Sequence, residues 1–324
     1  MTVEALPAHP SASRSTQLGI AVMLAGILLF SLNDVMGKWL VATYSVGQVL
    51  LIRSAAALLI LSPFIWKAGV RSLVSVEQPR MQVLRVILSS LEVYCFYFAV
   101  IYLPLADVMT YWLAAPIYVA ALSPFLLGEH VGWRRWTAIF IGFVGVIVAL
   151  EPSAATLTAP ALISIFGSFA FAFMMLSGRS LRATPDTTLV FWQTIGAGLF
   201  GLATAPFGWV TPSAPDFALL ALLGVVAMVA HVCVNRALKL ADAATVAPFQ
   251  YTLLLWAVIF GWLVFGDIPR PAMLAGAAII VAAGLFIFFR EQRVKRKRRQ
   301  RVSWPLDQAG NASSKPLRQS RLQR

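Results

Sequence analysis

Charge is scarce in this chain. Asp, Glu, Lys and Arg make up 12% of 324 residues, apolar residues make up 59%, and the mean hydropathy is +0.79. Soluble domains are about a quarter charged. A chain of this size cannot hide so much apolar surface in one or two cores, so a water-soluble fold is excluded and lipid must be the solvent. Cysteine is scarce too: Cys95 and Cys233 each sit in an apolar run, which leaves no disulfide framework and no metal-ligand spacing. No HExxH, GxSxG, Walker-type or Gly-rich phosphate loop occurs, so neither an enzyme nor an ATP-driven pump is expected, and no cofactor.

The net charge of +13 points to nucleic acid only until it is located. Twelve Lys or Arg stand from Arg290 to Arg324 against Glu291 and Asp307, so the rest of the chain is nearly neutral. A basic run beside an apolar one, here Val294-Lys295-Arg296-Lys297-Arg298-Arg299, is most simply an anchor on anionic lipid. No nucleic-acid partner is expected. The first 17 residues are polar, and the apolar run after them exceeds 20 residues without an A-x-A site, which reads as a retained first span.

A helix needs about 20 apolar residues to cross roughly 30 Å of hydrocarbon. Ten segments qualify, near 18–41, 46–66, 82–102, 106–127, 133–150, 157–178, 187–208, 216–238, 244–265 and 270–289. Their loops are short, so consecutive helices are antiparallel neighbours. Basic residues favour cytoplasmic loops. With the amino terminus inside, the inner loops hold Lys67, Arg71, Arg80, Arg134, Arg135, Arg179, Arg182, Arg236 and Lys239, and the outer loops hold only Arg270. The expectation is a multi-pass protein of the cell (inner) membrane with both termini cytoplasmic.

The chain also repeats. Leu105-Ala106-Asp107-Val108 matches Leu240-Ala241-Asp242-Ala243, Gly128-Glu129 matches Gly266-Asp267, and Met36-Gly37-Lys38-Trp39-Leu40 matches Ser177-Gly178-Arg179-Ser180-Leu181. The matches occur in order at nearly one offset, as a duplication requires. Five spans per copy is odd, so the second copy lies upside down. Inverted copies can exchange conformations around a midplane site, which favours a carrier over a channel, enzyme or scaffold.

The run Leu103-Pro104-Leu105-Ala106-Asp107, with Ala115-Pro116, Gly128-Glu129, Gly142 and Gly145, resembles an EamA repeat of the drug/metabolite transporter superfamily. The resemblance covers about 18–290. It implies an all-α fold of ten transmembrane helices in two inverted five-helix repeats (18–150 and 157–290) around a cavity. Cytoplasmic tails 1–17 and 291–324 flank them. It also implies gradient-driven transport of a small organic metabolite. The segment Leu29–Lys38 is more similar to the branch with S-adenosylmethionine and riboflavin uptake carriers than to exporters of amino acids or drugs, which stay as the alternative. Asp267 departs from the usual Glu, and Pro248 lacks a counterpart at the same helical position.

Ionisable groups inside a span are costly and are site candidates. Asp34 and Lys38 are one turn apart, as an outer charged mouth or a self-neutralising pair. Arg53 either binds an anionic group or pairs with Asp34, and the pairing is favoured. Arg85, Ser89, Glu92 and Phe96 form one stripe, with Glu92 near mid-depth as the main candidate for substrate contact or proton uptake. His231, Asn235 and Lys239 form another; His231 is a proton relay or, more simply, a packed histidine. Among the aromatics, Tyr97, Trp112, Trp192 and Tyr251 rank first, with Gln193 and Gln250 beside two of them. Accessibility labelling of single cysteines near the two ends should find both on one side; opposite sides would make the crossing number odd and remove the inverted repeat.

Overall fold

Backbone amides in hydrocarbon have no water to bond, so each apolar run closes its hydrogen bonds within a helix. The computed structural model describes residues 10–68, 73, 78–127, 132–151, 157–181, 184–241 and 246–312, and every regular element among them is helical. The first half holds α1 (Pro10–Val41), α2 (Val46–Ala68), α3 (Pro79–Tyr102), α4 (Leu105–Leu113), α5 (Ala115–Leu127) and α6 (Trp133–Leu150). The second holds α7 (Ala159–Ser180), α8 (Asp186–Thr204), α9 (Ala214–Leu240), a 3-10 turn (Ala247–Tyr251) running into α10 (Thr252–Phe265), and α11 (Pro271–Ala312).

Helix starts follow local chemistry. Pro79 opens α3, where its missing N–H costs nothing. Thr158 accepts from the Ala161 amide to cap α7, and Ser213 accepts from the Asp216 amide to cap α9. Gly266 closes α10 at φ 68°, and the Asp267 amide reaches back to the Gly261 carbonyl.

Among the described residues, nine segments are long and apolar enough to cross a membrane, with α4 and α5 counted as one. The remaining expected span, the seventh, is α8, which has the length but is diluted by Asp186, Thr187, Thr188, Gln193 and Thr194. It packs on α2 and α3 inside the bundle, where polar side chains are sheltered from lipid. It also ends at Thr204, earlier than expected, because Pro206 follows.

The fourth and ninth spans are both interrupted. At Ala114 the amide bonds back three residues to Tyr111, since Pro116 cannot continue the ladder. The 3-10 turn at 247–251 carries Pro248. At the spacing that superposes Leu105 on Leu240, Ala114 falls on Phe249. The break thus recurs at one depth in both halves although the prolines are displaced. Gly128-Glu129 lies outside the described residues.

The principal helix contacts recur when the halves are exchanged. α1 lies on α9 as α7 lies on α3; α9 meets α2 as α3 meets α8; α1 meets α10 as α7 meets α4 and α5. The pairs α2–α8, α4–α10 and α6–α11 straddle the pseudo-two-fold. The outer surface is apolar, with Trp66, Phe125 and Phe140 facing outward, as a lipid solvent demands.

Without a hydrophobic drive between helices in lipid, backbones must approach closely at small residues. On the axis, Gly145 and Gly276 meet; a methyl on Gly276 would strike the Ala149 amide and the Gly145 carbonyl. Gly276→Ala should therefore lower the thermal midpoint in detergent by the equivalent of about 1–3 kcal/mol. Gly261→Ala, whose nearest neighbour atom is 3.7 Å away, should be neutral or stabilising.

Candidate functional site

Five loops gather at one end of the bundle, after Val41, Tyr102, Leu150, Thr204 and Phe265. We term this end the distal face, and the opposite end, which receives both chain termini, the terminal face. A cavity of about 80 Å³ lies between α2, α3, α8 and α9, on the pseudo-two-fold. α2 lines it with Arg53, Ser54, Ala57 and Leu61, and α3 with Ser89 and Val93. α8 adds Val190, Gln193, Thr194 and Ala197, and α9 adds Gly224, Ala227, Met228 and His231. Arg53 is roughly 10 Å along α2 from the distal end and Val190 roughly 6 Å along α8 from the terminal end. The space therefore runs from mid-depth toward the terminal face. At Gly224 α9 approaches α2 closely, since a methyl there would meet the Arg53 carbonyl.

The distal face is tied shut. Lys38 Nζ bonds Asp267 Oδ2 at 2.7 Å and the Leu103 carbonyl at 3.2 Å, and sits over the Phe265 ring. Arg270 bonds Asp107 Oδ2 at 3.0 Å, Glu151 Oε2 at 2.9 Å and the Ala149 carbonyl at 3.3 Å. Gln48 exchanges two hydrogen bonds with the backbone of Val210. Tyr44 donates to Asp216 Oδ2 at 2.7 Å, and that carboxylate raises the tyrosine hydroxyl above its ordinary pKa. Apart from the Lys38–Leu103 bond, these ties run between the first half and the second.

These contacts correct two sequence expectations. Lys38 does not neutralise Asp34, because the Gly266 turn presents Asp267 to it across the halves. Arg53 does not pair with Asp34 either: its Nη1 donates to Tyr97 Oη at 2.6 Å, and its guanidinium lies 5.4 Å from the Tyr97 ring centre. Asp34 instead accepts from Asn33 Nδ2 at 3.3 Å, and Trp112 Nε1 donates to Glu92 Oε1 at 3.1 Å. Phe96 stacks edge-on against both Tyr97 and Trp112, linking the two bonds.

The other candidates disperse. Trp192 donates to the Leu73 carbonyl, Tyr251 packs against Gly284, and Gln250 is exposed. Arg85 bonds the Met174 carbonyl. His231 lines the cavity, lies edge-on to Phe30 and bonds the Ala227 carbonyl through Nδ1; a carbonyl only accepts, so that nitrogen carries the proton. The side chains of Asn235 and Lys239 lie outside those described. Of the ten candidate substrate contacts, only Arg53 and Gln193 line the cavity. Sequence reading missed Ser54 and Thr194, which carry no signal beyond small polar type. It also missed the Arg270–Asp107 tie, although Arg270 stood out as the lone basic residue of its side and Asp107 as part of a repeated motif.

Inverted helical halves, a cavity on their axis and polar groups concentrated there define a multi-pass membrane carrier. The chain belongs to the EamA-like transporter family, whose pattern matches it twice, at 17–150 and 158–289. It is a transporter. It is 27% identical to an S-adenosylmethionine uptake transporter of Rickettsia prowazekii over 85% of this chain and 94% of that protein. It is 29% identical to a riboflavin transporter of Rhizobium johnstonii over 88% and 95%. It is 24% identical to the pseudopaline exporter CntI of Pseudomonas aeruginosa over 82% and 94%. A solved crystal structure of another protein superposes with TM-score 0.57 over 87% of this chain and 99% of that one, at 16% identity, and shares the fold.

The Lys38–Asp267 tie is mostly shielded, with side chains 12% and 24% exposed. In a double-mutant cycle, Lys38→Met and Asp267→Asn should each lower the thermal midpoint, and together do no further harm, with a coupling of about 1–3 kcal/mol. Additive losses would mean the two side chains are independent.

Proposed function

We propose that this transporter takes up a small organic metabolite across the cytoplasmic membrane by gradient-driven alternating access, with S-adenosylmethionine or riboflavin as the model for its solute. The observation that carries the reading is the asymmetry between the two ends of an otherwise symmetric bundle. Ties between the halves gather on the distal face, and the cavity runs toward the terminal one. With both termini in the cytosol, as the basic loops indicate, this is the inward-facing form. The outward form follows when the repeats, 18–150 and 157–290, rock and the distal ties part, as inverted halves permit. The basic run 294–299 then meets the cytoplasmic leaflet and holds anionic lipid.

Glu92 supports coupling to protons. It is a carboxyl beside Arg53 and Asp34 in the middle of the bundle, and one of its oxygens is held by Trp112. Ionisable groups at that depth mark proton paths in transporters. An exporter is the second reading, favoured by the pseudopaline exporter among the relatives, since the same fold serves both directions.

Liposomes containing the purified protein and loaded with unlabelled S-adenosylmethionine or riboflavin should exchange it for labelled solute from outside. No exchange with either, or with a broad metabolite panel, by folded protein would end the carrier reading for these solutes. Glu92→Gln should keep exchange but lose accumulation driven by a pH gradient; undiminished accumulation would remove Glu92 from the coupling.

A further inference from the structure

Among the described residues, the cavity between α2, α8, α3 and α9 has one fixed cation in its lining and no Asp or Glu. Several of its polar groups are already occupied by their own helices. Ser89 bonds the Val86 carbonyl, Thr194 the Val190 carbonyl, and His231 Nδ1 the Ala227 carbonyl. What remains to meet a solute is the edge of Arg53 beyond its bond to Tyr97, the Ser54 hydroxyl, the Gln193 amide and the second imidazole nitrogen. Asp34 and Glu92 lie within the field of Arg53, yet neither stands at ion-pair distance from it. A guanidinium forks to a carboxylate or a phosphate with two parallel bonds, and one Nη group here is held in place by a phenol rather than by an acid.

The internal symmetry sharpens this. Val46 opens α2 and Asp186 opens α8, and counting from each start puts Arg53 and Gln193 at the same position. The two-fold would offer like groups at both sides of the cavity; this chain offers a cation on one and a neutral amide on the other. A solute lying between them is read with polarity.

We propose that the cavity selects solutes bearing a carboxylate or phosphate, seated on the free edge of Arg53, with a neutral hydrogen-bonding part toward Gln193 and His231. This rests on reading the cavity as the transport site. Of the two solutes its uptake relatives carry, S-adenosylmethionine has a carboxylate and riboflavin has no anionic group, so the assignment points to the first kind.

Matched probes test it: S-adenosylmethionine against its carboxamide, and riboflavin 5′-phosphate against riboflavin. Binding is read from the thermal midpoint of purified protein as ligand is titrated, and transport from exchange in liposomes. The anionic member of at least one pair should bind about tenfold tighter or more than its neutral partner. Arg53→Gln should erase that preference, and Arg53→Lys should keep part of it. Equal binding within both pairs by the wild-type protein, or an intact preference in Arg53→Gln, overturns the assignment. The wild-type comparison decides the matter even if that variant fails to fold. Stabilisation by the anions without exchange of any probe overturns the carrier reading and leaves the binding assignment standing. Exchange of the neutral members alone does the reverse.

Discussion

A chain that must cross hydrocarbon completely each time it enters has no half-measures, and an odd number of crossings turns its second copy over. The rest of the architecture depends on that parity. It places α2 and α3 of one half against α8 and α9 of the other, with each pair running in opposite senses, and leaves a space on the axis between them. It also brings the C-terminal end of α1 to the C-terminal end of α10, so that Lys38 and Asp267, separated by 229 positions in sequence, become an ion pair. Lipid gives these helices no reason to associate except contact and polar bonding. Both appear where the halves meet: backbones touch at Gly145, Gly276 and Gly224, and bonds such as Gln48–Val210 and Arg270–Asp107 join one half to the other.

The class and the helix positions were legible because hydropathy over 20 residues is an averaged property, insensitive to single substitutions. Orientation of neighbours was legible for the same reason. The seventh span was harder, since Gln193 and Thr194 lower its hydropathy, and what excuses them is shelter between α2 and α3, which only the fold displays. The breaks in the fourth and ninth spans had visible prolines, but their equivalence did not show in sequence, because Pro116 and Pro248 do not align even though the interruptions do.

The candidate site was legible as a set of residues and illegible as a set of partners. Asp34, Lys38 and Arg53 sit near one another along α1 and α2, and proximity in sequence suggested that they neutralise each other. The side chains chose partners from other helices instead: Asp267 for Lys38, Tyr97 for Arg53. A one-dimensional reading has no access to such choices, because they depend on crossing geometry and on the turn that Gly266 permits. Aromatic residues mislead in the opposite direction. Tyr97 is 1% exposed and Trp192 is bonded to the Leu73 carbonyl, so rings that looked suited to stacking on a solute serve as fixed supports.

The 3-10 turn before α10 has a mechanical meaning. It is a joint at mid-depth, and α10 beyond it is a stiff arm of 14 residues that ends beside Asp267. Such an arm is roughly 21 Å long, so a swing of about 10° at the joint carries its tip about 4 Å. That exceeds the 2.7 Å span of the Lys38–Asp267 bond. A small rotation at the joint is thereby enough to part a lock at the far surface, with the helix itself as the lever.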